Sequence, residues 1–136
     1  PGELRFTYRN LALPRGTVIL KAVLKMKQST RSILLDRIEK INRWRRRVQP
    51  LNLPSAGSVF KNPPGQSAGQ LVEQAGLKGF TLGNAQISDK HANFIVNRGG
   101  ATAQDVLSLM DIMQNRVYKA TGIQLEPEIC ITGENG

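Results

Sequence analysis

Cysteine is almost missing: Cys130 stands alone in 136 residues, so no intrachain disulfide can form and a reducing compartment suits the chain. Histidine is also single, at position 91, and no Cys/His cluster has metal-ligand spacing. No metal is expected. No P-loop or dinucleotide-binding glycine fingerprint occurs. Aromatic residues are sparse, with four Phe, two Tyr and one Trp, and they form no stacking platform for nucleic acid; a recognition-helix motif is lacking too. No apolar run approaches the length of a membrane span and no signal peptide opens the chain, so a soluble cytoplasmic protein is expected. Acidic residues are scarce in one place only. Residues 1–47 hold thirteen Lys/Arg against Glu3, Asp36 and Glu39, whereas residues 48–136 hold six against seven, so the net charge of +9 is a local excess. A basic half of this kind attracts a polyanion or a phosphate-bearing ligand, through a field that salt weakens.

What is present gathers at Gly57-Ser58-Val59-Phe60-Lys61-Asn62-Pro63. A hydroxyl, an ammonium and a carboxamide fall within five positions between a flexible glycine and the rigid pair Pro63-Pro64. Alternation predicts that Ser58 and Phe60 share one strand face and Val59 and Lys61 the other, with Phe60 anchored in the core beside a rim hydroxyl. Taken alone, the heptad also reads as a turn whose polar groups satisfy the backbone.

Before it, Leu4–Arg9 and the β-branched run Val18–Met26 read as two strands joined by the turn Pro14-Arg15-Gly16. Such a hairpin is marginal alone and calls for a larger sheet; the start at Pro1-Gly2 is what a truncated chain would show. Ser29-Thr30 caps a helix to about Val48, with Leu34, Ile38, Ile41 and Trp44 on one stripe, basic residues elsewhere and four arginines in its last turn. Ser67 and Gln70 have capping-box spacing and open a short helix that Gly76 closes, its first amides free to face an anion. Residues 78–83 read as a glycine-bounded loop, and Ala85–Ile87 and Asn93–Val96 as strands around a polar turn that holds His91. Thr102 caps the strongest helix, with Val106, Met110, Met113, Val117 and Ala120 on its core stripe and Gly122 at its end. A last strand runs from Gln124 to Thr132, placed at an edge or bulge by Pro127. The expected class is α+β: a small sheet packed with about three helices and preceded by a hairpin.

Four blocks carry a resemblance. Ala56-Gly57-Ser58-Val59-Phe60-Lys61-Asn62-Pro63, Ala75-Gly76-Leu77-Lys78-Gly79, Lys90-His91-Ala92-Asn93-Phe94-Ile95-Val96-Asn97 and Leu125-Glu126-Pro127-Glu128 resemble, in order and spacing, the UDP-N-acetylenolpyruvoylglucosamine reductase (MurB) family. The resemblance is strong over residues 49–133 and weaker over 6–27. It implies an FAD- and NADPH-dependent oxidoreductase of peptidoglycan precursor synthesis that reduces an enolpyruvyl ether on UDP-N-acetylglucosamine to UDP-N-acetylmuramate. It further implies that residues 1–28 end a flavin-binding domain, that residues 29–136 are the substrate-binding domain, and that the main FAD-binding domain of the same protein lies outside this sequence.

Position by position, the resemblance puts the catalytic serine at Ser58, the arginine of a Tyr-Arg pair at Arg9 and a catalytic acid at Glu128. Asn62, Lys61 and His91 fall among the substrate contacts, and Arg46 near a basic residue that meets the diphosphate. Ser58 would donate a proton, Arg9 would stabilise developing carboxylate charge, and Glu128 would orient the substrate, in protonated form if burial raises its pKa. Two departures stand out: Cys130 occupies a position where many relatives have arginine, and Asn10-Leu11 replaces Asp-Ser. No room exists between Arg9 and Ser58 for a substrate-covering tyrosine loop, so the chain is similar to the shorter subclass. Two other readings remain open at this point: a basic nucleic-acid-binding domain, and an inactive paralogue that binds the UDP-sugar.

Overall fold

The computed structural model describes residues 4–133, which excludes Pro1–Glu3 and the last three positions. Its elements are β1 (Arg5–Thr7), β2 (Asn10–Ala12), α1 (Arg31–Val48), β3 (Ser55–Ser58), α2 (Ala68–Gln74), β4 (Thr81–Leu82), β5 (Ala85–Ile87), β6 (Phe94–Asn97) and α3 (Ala103–Thr121). The class is α+β, as expected. Contacts divide the chain into two compact units, Pro1–Leu34 and Leu35–Gly136.

In the first unit β1 and β2 form an antiparallel hairpin with Phe6 opposite Leu11 and Thr7 opposite Asn10. The chain therefore reverses at Tyr8-Arg9, and Arg9 takes a positive φ of 54° that non-glycine residues seldom adopt. This corrects the expectation of a hairpin around Pro14–Gly16. A turn does exist there, closed by the Thr17 N–H and hydroxyl on the Pro14 carbonyl, but Val18–Met26 forms no strand and its apolar side chains are exposed. A β-branched run becomes a strand only when a neighbour takes its N–H and C=O groups, and none of the described residues does so.

In the second unit the sheet is antiparallel in the order β3-β6-β5-β4. Its register sets Gln86 opposite Val96 and Ile87 opposite Ile95. Thr81-Leu82, expected as loop, pairs with Ala85 and Gln86 as a tight hairpin around Gly83. α3 packs on β4, β5 and α2. Its ends follow local chemistry: Thr102 and Asp105 complete a reciprocal capping box, and Gly122 closes the helix at φ 73°. Leu109, Met110, Met113 and Val117 are buried, whereas Ala120 falls outside the stripe it was expected to join. These side chains meet Phe60, Leu71, Val72, Leu77, Ile87, Ile95 and Leu125 in a continuous core.

Three further expectations change. α1 forms where capping predicts it, but none of its residues is buried, and the stripe of Ile38, Ile41 and Trp44 is more than half exposed. Gln124–Thr132 makes no extended strand; it is reduced to one bridge, Pro127 opposite Phe60. Proline has no N–H to continue a ladder, which suits so short a contact. Finally, the face rule for Ser58–Lys61 fails, because Val59 and Phe60 are both buried. β3 carries a bulge between Ser55 and Ser58, with Gly57 at φ 88°, and beyond it the segment enters the interior. Parity no longer separates core from solvent there.

Candidate active site

The segment Ser58–Lys61 is held from both sides. On one side, the Lys61 N–H donates to the Glu126 carbonyl at 2.9 Å and the Glu128 N–H donates to the Val59 carbonyl at 2.8 Å. On the other, the Val59 N–H donates to the Asn93 carbonyl at 2.9 Å, and Ser58 sits opposite Phe94. The backbones that carry Ser58 and Glu128 thus run next to each other, although 70 positions separate them in the chain. Both residues are half-buried. Among the described residues the Ser58 hydroxyl has no hydrogen-bond partner, so no base is placed to turn it into a nucleophile.

The residues after Ser58 connect this strand to α2. The Asn62 carboxamide oxygen accepts from the Ala68 N–H at 3.0 Å, and the Ser67 hydroxyl accepts from the Gln70 N–H at 3.5 Å. Two of the helix's first amides are therefore occupied, contrary to the expectation that they stand open to an anion. Asn62 itself is exposed and keeps its amide donors at the surface. Lys61 is partly committed elsewhere, 3.3 Å from the Glu126 carboxylate.

His91 lies on the other side of the same helical turn. A Cβ placed on Gly69 would come within 2.9 Å of the His91 ring, so the absence of a side chain in α2 makes room for the imidazole. The ring also stacks edge-on against Phe94, with centroids 5.0 Å apart. His91 Nδ1 accepts from the Asn93 N–H at 3.2 Å, which leaves Nε2 as the protonated nitrogen of the neutral ring. Burial holds its pKa below the ordinary 6.5, and the nearby Lys78 charge pushes the same way. The turn is organised by the buried Ser88 hydroxyl, which accepts from the N–H groups of Lys90 and His91.

Arg46 joins through Lys90. The Lys90 ammonium donates to the Arg46 carbonyl at 3.0 Å and so ties the end of α1 to the His91 turn. A cleft of about 570 Å3 opens between Arg46, residues 50–53 and residues 88–90, and a second of about 310 Å3 between Trp44, Gly69, Lys90 and His91. Arg46 is exposed and forms no ion pair among the described residues. Asn62 and His91 thus stand around one helical turn and Arg46 lines the neighbouring cleft with Lys90, while Ser58, Lys61 and Glu128 share the adjoining strands. Arg9 belongs to the first unit, at the tip of its hairpin, with its guanidinium 5.7 Å from the Tyr8 ring centre. Sequence reasoning missed Lys90, Ser88 and Asn93 as side chains that build the site; the signal available was a polar residue set directly against the apolar run Phe94–Val96.

The described residues form no cradle for a flavin dinucleotide. In the glycine turn from β6 into α3, the N–H groups of Gly99 and Ala101 both donate to the Asn97 side chain and that of Thr102 to Asp105. Among the described residues no buried side-chain polar atom lacks a partner. Nor do His, Cys, Asp and Glu side chains gather in threes for a metal among the described residues, and no helix there is long and apolar enough to cross a membrane.

Comparison with known proteins identifies the family. The family model described as UDP-N-acetylenolpyruvoylglucosamine reductase, C-terminal domain, matches residues 49–132. UDP-N-acetylenolpyruvoylglucosamine reductase 2 of Symbiobacterium thermophilum is 50% identical, over 99% of this chain and 44% of that protein. The reductase of Aquifex aeolicus is 47% identical, over 98% of this chain and 45% of its own length. The crystal structure of the reductase MurB from Thermus caldophilus superposes with a TM-score of 0.74 at 44% identity, covering 92% of this chain and 45% of that one. The chain spans less than half the length of these relatives. It belongs to the UDP-N-acetylenolpyruvoylglucosamine reductase family, in the part described as the C-terminal domain.

Proposed function

We propose that this chain is the substrate-binding and protonating part of a cytoplasmic reductase that converts UDP-N-acetylenolpyruvoylglucosamine to UDP-N-acetylmuramate for peptidoglycan precursors. Residues 29–136 form the substrate domain, and residues 1–28 are the end of a flavin-binding domain whose remainder lies outside this sequence. FAD, with NADPH as its reductant, would supply the hydride chemistry and would be held mainly by that remainder.

The chain's own residues do the rest. Arg46 attracts the diphosphate, with its guanidinium exposed on a cleft that Lys90 also lines. Asn62 and His91 position the sugar nucleotide from either side of the first turn of α2, His91 as a neutral Nε2–H donor. Lys61, beside the Glu126 carboxylate, adds a further substrate contact from the same segment as Ser58. Reduction at the methylene carbon leaves negative charge on the neighbouring carbon and its carboxylate. Arg9 stabilises that charge, Glu128 orients the group that bears it, and the Ser58 hydroxyl gives its proton to the carbon. The observation that carries this reading is the pair of backbone bonds that lays the Ser58 strand against Glu126–Glu128, with the Ser58 hydroxyl uncommitted.

The test is turnover by the full-length protein containing this chain, supplied with NADPH and the enolpyruvyl substrate and assayed by mass for UDP-N-acetylmuramate. Product formation that requires FAD supports the reading. Substrate binding without product would make the chain a UDP-sugar binder only. Binding of duplex or single-stranded nucleic acid, without affinity for the UDP-sugar, would overturn it.

A further inference from the structure

Asn93 is one of two buried polar residues in the described core, and its side chain makes an unusual pair of bonds. Its carboxamide oxygen accepts from the Phe60 N–H at 3.0 Å, while its amide nitrogen donates to the Phe60 carbonyl at 2.8 Å. The reason lies in the ladder. Opposite Glu126–Glu128, the bonds are made by the Val59 carbonyl and the Lys61 N–H, so the Phe60 peptide groups face the other way, toward the sheet. There β6 has already ended. Ser58 pairs with Phe94 and the Val59 N–H reaches the Asn93 carbonyl, but one position further the chain turns away toward His91. A carboxamide presents one acceptor and a matching donor, as a peptide does, and Asn93 supplies them where backbone no longer can.

We propose that Asn93 is a positioning residue for the reaction: its side chain stands in for a missing strand residue and fixes the Ser58–Lys61 segment from which the proton-donating hydroxyl projects. This inference rests on the role proposed above for Ser58. Phe60 lies two residues after Ser58 and two before Asn62, so a slip of this peptide displaces both the donor and a substrate contact. A shift near 1 Å at a reacting group costs on the order of 100-fold in rate. The Asn93 backbone also sets His91, through its N–H on Nδ1, so one residue ties the two halves of the site together.

The test uses Asn93→Asp and Asn93→Ala in the full-length protein. Protonated aspartic acid has the same shape as asparagine and still offers one donor and one acceptor, whereas the carboxylate faces the Phe60 carbonyl with a charge and no donor. The expected result for Asn93→Asp, relative to wild type at each pH, is substrate-dependent oxidation of the reduced enzyme within ~3-fold near pH 5.5 and at least ~10-fold slower near pH 8.5. Reduction by NADPH should be unchanged at both. The second readout needs no activity: in the Asn93→Ala protein the Phe60 amide hydrogen should exchange at least ~10-fold faster while that of Val117, in α3, keeps its protection. An Asn93→Asp ratio flat with pH, or equal loss of protection at every core amide in both variants, would overturn the proposal. If wild type itself makes no product, the function proposed above fails, and the Phe60 exchange still decides whether Asn93 holds this segment.

Discussion

His91 shows at the scale of one residue how environment selects a role. Half-buried against Phe94 and Gly69, with Nδ1 already accepting a backbone N–H, it is held neutral. Its pKa lies below 6.5, burial being the largest cause. When pH falls through 6.5 the unfolded chain takes up a proton that the folded chain still refuses. Stability from the neutral ring is therefore fully present above 6.5 and is lost as pH drops toward the lower folded value. Melting curves between about pH 5 and 7.5 should show a smaller acid-induced loss in His91→Gln than in wild type, since glutamine does not titrate. Equal losses would mean that the ring is as free as in the unfolded chain. The same residue shows what single-sequence reading can and cannot supply. That His91 sits in a polar turn between two strands is legible from the pattern around it. Its tautomer is not, because that depends on which amide reaches Nδ1, and the Asn93–Phe60 pairing, between residues 33 apart, is equally out of reach.

The element that organises the site is α2, a seven-residue helix whose first turn separates Asn62 from His91. Gly69 is buried there at a helical φ, so alanine would be favoured by propensity by roughly 1 kcal/mol. Yet its Cβ would press into the His91 ring at 2.9 Å, closer than such atoms normally approach. Gly69→Ala is expected to keep the helix, as read by circular dichroism, and to raise KM for the UDP-sugar several-fold with a smaller change in kcat, because a displaced ring loses binding that ground state and transition state share. A larger fall in kcat than rise in KM would place His91 in the chemistry instead. Within the core, Leu109→Ala in α3 should cost about 2–5 kcal/mol in denaturant unfolding, since Leu109 is fully buried. Caps were the most legible feature of these helices: Ser67, Thr102 and Gly122 act on amides or carbonyls within a few residues, so spacing alone locates them. The strands were less so. Val18–Met26 has the composition of a strand and Gln124–Thr132 its alternation, but a strand is a relation to a neighbour, and in neither stretch does a sustained one exist among the described residues.

For the molecule as a whole, charge and exposed apolar surface tell the same story. The basic excess sits in residues 1–47, and α1, which carries much of it, also leaves Ile38, Ile41 and Trp44 uncovered. Magnitude separates the two classes of anion this surface could serve. A protein that neutralises six to ten backbone phosphates loses about 10³–10⁵ in affinity between 50 and 200 mM salt, whereas a diphosphate engages only about two charges. Affinity for the UDP-sugar should accordingly fall by only about 10-fold over that range. A steeper loss would show that extended polyanions are what the basic half is built for.

The central claim is that the Ser58 hydroxyl delivers a proton to reduced substrate. It is tested most directly by stopped-flow measurement of both half-reactions in the full-length protein carrying Ser58→Ala. Flavin reduction by NADPH should be nearly unchanged, while oxidation by the enolpyruvyl substrate slows by at least ~100-fold. Equal damage to both steps, or wild-type oxidation, would contradict it.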